Sequence, residues 1–169
     1  VGPEFAPLAC LCFALARRAW HLVVPASVTL LGSMTLAALA SYALWQVADL
    51  LDVVERRAAT SGPLTEFIVA PDVWSFVVAV LAGVAGVLSL TAAKSSTLVG
   101  VFISVTTVPA VGTLGLTLAV GAWGEAASSL LQLAINVGGS LLAGTLTLLV
   151  QSAIWRPGRA GPRGAAPVD

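Results

Sequence analysis

The chain has 169 residues, 58% of them hydrophobic and 9% charged, and its formal net charge is zero. Soluble domains carry about 25% charged residues, so this composition excludes an ordinary soluble domain, and the balanced charge leaves no basic face for nucleic acid. Two cysteines and a single histidine argue against a disulfide framework or a metal-ligand cluster.

The first apolar run, Phe5 to Ala16, is short of the roughly 20 residues a bilayer core requires. No basic segment and small-residue cleavage site frame it as a signal peptide. The expectation is a partial helix, with the sequence beginning partway through a span. Cys10 and Cys12 lie within it and point in different directions on a helix. Just before it, "VGPEFAP" sets Glu4 between prolines. At membrane depth Glu4 would pair with a cation or bind protons; the other reading is a solvated chain end.

The second run, 20–48, is long enough to span with tilt. A polar connector, 49–72, contains "DVVERRAATSGP" and Pro63 and Pro71. The third run covers 73–93, where Ala79 with Gly83, and Ala82 with Gly86, form small-residue pairs that let helix backbones approach. Lys94, the only lysine, follows with Ser95 and Ser96. Two readings stand: a turn lysine that snorkels to the headgroups, or a vestibule lysine that meets an anionic solute or a buried carboxylate.

The fourth run, 97–120, carries Thr106, Thr107 and Pro109. Proline lacks an N–H and clashes with the carbonyl four residues back. The expectation is therefore an interrupted helix whose freed carbonyls, with the two threonine hydroxyls, face a polar cavity. The plain alternative is a tolerated kink. The fifth run, 125–155, holds Asn136, whose amide needs an interhelical partner or lines a pore, near Gly138, Gly139 and Gly144. The Pro/Gly-rich tail, 156–169, is expected to be disordered.

These runs are twice the length of barrel strands and lack in/out alternation. In a bilayer core their backbones must bond internally. The fold class is all-α: a polytopic helical membrane protein with four full spans and a partial first helix. Asp72 and Glu125 begin helices, where a carboxylate favours the positive end of the dipole. Arg17, Arg18, Lys94, Arg156, Arg159 and Arg163 fall on one side of the membrane, while the other side gets only Arg56 and Arg57. The positive-inside rule marks the first side, with the C-terminus, as cytoplasmic. Trp20, Trp74, Trp123 and Trp155 lie at run ends, as an aromatic belt requires.

"LARRAWHLV", residues 15–23, echoes "LAVGAWGEA", residues 118–126, and the same spacing pairs Leu39 with Leu142 and Ala6 with Pro109. Each unit is a proline-bearing helix, a short turn with Trp and a long helix. One extra helix between the units would invert the second, the mark of an inverted-topology repeat with its solute site near the midplane.

"AKSSTLVGVFISVTTVPAVG", followed by "GAWGEAASSLLQLAINVGGSLLAGTLTLLVQ", resembles the bacterial membrane family known as domain of unknown function 389. "VGPEFAPLACLCFALARRAW" resembles the middle of that family's first conserved stretch. The resemblance implies a bacterial inner-membrane location, further membrane helix upstream and often a soluble N-terminal region. It implies no activity.

No Ser/His/Asp set, Gly-x-Ser-x-Gly or Gly-Lys-Ser/Thr pattern, or intramembrane acid pair is present, so no enzyme activity and no cofactor is expected. The preferred expectation is a channel or transporter for a small solute or ion. Its candidate pathway residues are Glu4, Lys94, Thr106, Thr107, Pro109 and Asn136. The alternative is a non-transporting membrane scaffold or sensor subunit that anchors a soluble region. The expected partners are the lipid bilayer, a small solute or ion, and further copies in a homo-oligomer.

Overall fold

The computed structural model describes residues 4–51, 73–91 and 96–155, with backbone alone over 96–106. All regular structure among them is α-helical: α1 (Phe5–Ala16), α2 (Trp20–Leu50), α3 (Val73–Thr91), α4 (Ser96–Ala119) and α5 (Trp123–Ile154). Among the described residues α2, α3 and α5 are long and apolar enough to cross a membrane. At 1.5 Å per residue, the 19 residues of α3 span about 28 Å, close to a bilayer's hydrocarbon core. The length and apolarity of these helices are those of a membrane protein. Trp20, Trp74, Trp123 and Trp155 are all exposed, and each lies at or next to a helix end.

Prolines sit inside the helices without breaking them. Pro7 falls in the first turn of α1, where its missing N–H is one that no helix uses. Pro25 lies deeper in α2, and Pro109 lies in mid-α4. The expected interruption at Pro109 is absent, because α4 continues through it as one helix. The local loss is the single bond that a residue-109 N–H would have made to the Val105 carbonyl.

The turns from α1 into α2 and from α4 into α5 share one backbone construction. Arg18 and Gly121 both take the left-handed conformation, with φ of 56° and 76°. Ala19 N–H donates to Ala14 O at 2.8 Å, and Ala122 N–H to Thr117 O at 2.8 Å. Arg18 N–H donates to Leu15 O at 3.3 Å, and Gly121 N–H to Leu118 O at 3.3 Å. These bonds form a Schellman motif, which satisfies carbonyls left over at a helix end. The next helices start at once, after Ala19 (φ −84°, ψ 67°) and Ala122 (φ −86°, ψ 77°). Every matched pair is separated by the interval between Trp20 and Trp123. Gly121→Ala should therefore cost about 1 kcal/mol, the steric penalty of a left-handed residue with a Cβ. Arg18→Gly should gain roughly 0.5 kcal/mol, less than that penalty because glycine gives up more backbone freedom on folding. Equilibrium unfolding in detergent measures both.

Close packing then assembles the helices. The most extensive contact is between α3 and α5, followed by α2 with α4 and α4 with α5, while α1 lies against both α2 and α5. Phe76 and Ala79 approach Gly139, Ser140 Oγ donates to Ala79 O at 2.9 Å, and Gln151 Nε2 donates to Thr91 Oγ1 at 3.0 Å. These contacts advance together along both chains, so α3 and α5 run in the same direction. Where α2 crosses α4, Ser41 Oγ donates to Gly112 O at 3.0 Å and Gly115 lies directly beneath Ser41. Where α1 crosses α5, Cys12 lies over Gly144, its thiol 3.7 Å from Leu141 O. The two crossings correspond at the Trp20–Trp123 spacing, with the glycine on opposite partners: Cys12 matches Gly115, and Ser41 matches Gly144. Leu8, Leu11, Leu30, Met34, Val111 and Leu133 fill the core between them.

Candidate functional site

Glu4, the residue before α1, and Thr107, on α4, line one cavity of about 160 Å³ together with Ser41 of α2. The remaining lining is Met34, Ala37, Val108, Val111 and Gly112. Glu4 is 1% exposed and Thr107 2% exposed. Thr107 is the twelfth of the 24 residues of α4 and so lies near its midpoint. Glu4 lies about 18 Å from the α1–α2 turn at helical rise. Thr107 therefore sits well inside α4, while Glu4 stands at the N-terminal end of α1 with its side chain buried in the bundle. Its side chain makes no capping bond to α1.

Glu4 and Thr107 also stand at the Trp20–Trp123 spacing from each other, so the two matched helices bring corresponding residues into one cavity. Pro109 is half-buried in α4, two residues from Thr107. Asn136 is buried on α5 and is not among the residues lining the cavity. Lys94 and the side chain of Thr106 lie outside the described residues.

The structure adds polar residues that the sequence reading missed. Glu4 apart, the buried polar side chains among the described residues all belong to α4 or α5: Thr107, Thr113 and Thr117 on α4, and Ser129, Gln132, Asn136 and Ser140 on α5. The α5 set recurs at intervals of three and four residues and so occupies one helix face. Counting outward from the α4–α5 turn brings Thr107 about level with Asn136, and Thr113 about level with Ser129. Ser129 Oγ and Gln132 Oε1 are buried with no hydrogen-bond partner among the described residues. Each such group costs about 1–3 kcal/mol. The only sequence signal for this buried polar seam of α4 and α5 was the three-and-four spacing from Ser129 to Ser140.

A larger groove of about 720 Å³ separates α2 from α5 and is almost wholly apolar. Leu30, Leu31 and Met34 line one wall and their spaced counterparts Leu133, Ala134 and Val137 the other. The groove's polar groups are those of Thr35, Tyr42 and Trp123. Among the described residues no three His, Cys, Asp or Glu side chains come together to hold a metal ion.

No curated protein and no solved structure matches this chain. A family model does, over residues 1–142, including the Thr107–Pro109 stretch, both matched turns and the α5 residues Ser129 to Ser140. The chain belongs to the family described as domain of unknown function, DUF389.

Proposed function

We propose that this protein is a channel or transporter for a small polar solute or ion, built on an inverted-topology repeat. The observation carrying this reading is the pair of matched turns, whose bonds recur at one spacing and with the same lengths. Reciprocal packing supports it, since α1 packs on α5 as α4 packs on α2. Such mutual exchange is the signature of a two-fold relation. That α3 lies between the units and runs parallel to α5 supports a two-fold axis in the membrane plane. Transporters of this architecture place solute sites near the midplane, between the repeats. Glu4 and Thr107, buried together in one cavity, are the residues this reading assigns to that position, with the buried polar residues of α4 and α5 as its candidate extension.

The alternative, a scaffold or sensor subunit, draws support from the unbroken α4 and the small cavity. Solute flux in liposomes separates the two. The topology is tested independently by labelling. With Cys10 and Cys12 replaced by alanine, Arg18→Cys should react only from the cytoplasmic face and Gly124→Cys only from the opposite face. Reaction of both from one face would remove the inverted repeat.

A further inference from the structure

The cavity that holds Glu4 carries information about the charge it can accept. The residue before α1, helix α2 and helix α4 all contribute to its wall. Among the described residues lining it, Glu4 is the only ionisable one, and Thr107 and Ser41 are the other polar side chains. The rest of the wall is aliphatic, methionine or glycine. A carboxylate in such a wall is costly without a compensating positive charge. An anion beside it would meet like-charge repulsion with little water to screen it. A divalent ion would leave one positive charge uncompensated, and calcium and magnesium each want about six or more oxygen ligands. A single positive charge closes the balance.

The oxygen atoms at the cavity suit a metal cation. A carboxylate accepts at about four lone-pair sites, so an ion can share it with a hydrogen-bond donor. Ser41 Oγ donates its one proton to Gly112 O at 3.0 Å, and its own lone pairs remain for a ligand. The Thr107 hydroxyl oxygen carries lone pairs as well. Space is present too. The 160 Å³ is roughly five times the volume that one water occupies in the liquid, so an ion enters with part of its water shell. Gly112 keeps this space open, since a Cβ there meets nothing within 4 Å among the described residues. The close approach of α2 to α4 is made at Gly115 instead, against Ser41 and Tyr42. The opening at Gly112 is therefore not what lets the two helices meet.

We propose that this cavity binds one monovalent alkali cation, held by the Glu4 carboxylate and the Thr107 and Ser41 hydroxyl oxygens, with water completing its shell. That this ion is the species carried rests on the transport reading above.

The test uses the full-length protein in nanodiscs, titrated calorimetrically with sodium chloride and with potassium chloride. The bulky cation N-methylglucamine supplies the background salt. Saturable binding of one alkali ion per chain is expected. Glu4→Gln keeps the side chain's shape and removes its charge, and should weaken binding by at least about 100-fold. Thr107→Val should weaken it about tenfold. Gly112→Val leaves all three ligands in place and fills the cavity, so binding should be lost while thermal unfolding shows an intact bundle. That variant decides the matter if Glu4→Gln does not fold. Binding that survives both Glu4→Gln and Gly112→Val would overturn the proposal, as would tighter binding of calcium or magnesium chloride. Absence of alkali-ion binding would also overturn it, and solute flux persisting in that case leaves the transport reading standing without this site. Glu4-dependent binding in a protein that passes no ion across liposomes would leave the site standing and remove transport.

Discussion

Gly83→Val should separate α3 from α5 and lower the unfolding free energy by about 3 kcal/mol, at the upper end of what overpacking costs. A Cβ at Gly83 would run into the Ser140 carbonyl oxygen, with Ser140 Cα at 2.8 Å and its carbonyl carbon at 3.0 Å. These are backbone atoms of a continuous helix and have no rotamer to escape into. To relieve the clash the two helices must move apart. That would break the Ser140 to Ala79 bond and loosen the Gln151 to Thr91 bond. Gly32 and Gly138 supply the control, since a Cβ at either meets nothing within 4 Å among the described residues. Alanine at those positions should stabilise by roughly 0.5–1 kcal/mol through helix propensity alone. Unfolding titrations of the three variants decide the matter, and a Gly83→Val protein as stable as Gly138→Ala would show that α3 does not sit on α5 as described.

The helical fold was legible because solvent physics leaves few options. A long apolar run in a bilayer must satisfy its own backbone, so each of the five runs became a helix. The likeness of the two turns was only half legible, because the same turn backbone is written in different residues. The left-handed position is arginine in one turn and glycine in the other. The small residue at each helix crossing likewise changes sides, from Gly115 beneath Ser41 to Gly144 beneath Cys12. Sequence comparison sees mismatches where the backbone sees equivalence, which leaves the tryptophans as the visible pair.

The candidate site divides in the same way. Glu4 and Thr107 were each recognisable as polar groups in apolar surroundings, but their sharing one cavity depends on helix crossings that no local pattern encodes. Pro109 was overread, since losing one backbone bond does not end a helix held by neighbours on two sides. Ser129 and Gln132 were overlooked because serine and glutamine look ordinary on a helix until packing buries them. Burial is a property of the assembled bundle, and only the assembled bundle distinguishes Gln132, at 8% exposed, from the partly exposed Gln46.

That burial yields the sharpest test of whether the seam is a path or a packing defect. Gln132→Leu removes an amide whose carbonyl oxygen has no partner among the described residues, and the leucine roughly conserves volume. On packing grounds the variant should be neutral or up to about 2 kcal/mol more stable, because replacing an unsatisfied buried polar group removes its desolvation cost. If the seam conducts a polar solute, the same substitution deletes one hydrogen-bonding station. A station of about 1.4 kcal/mol corresponds to a roughly tenfold fall in flux. Thr107→Val, nearly isosteric and at the cavity end of the seam, should lower flux to a similar degree. Ser152→Ala, exposed near the end of α5, should leave flux unchanged. A path thus predicts opposite signs for Gln132→Leu, with stability held or raised and flux lost. A structural role predicts that flux follows stability. Flux in Gln132→Leu and Thr107→Val liposomes indistinguishable from the unsubstituted protein would exclude the seam as the route. Any solute passing the bundle would then have to bypass the only buried polar face that the described parts of α5 provide.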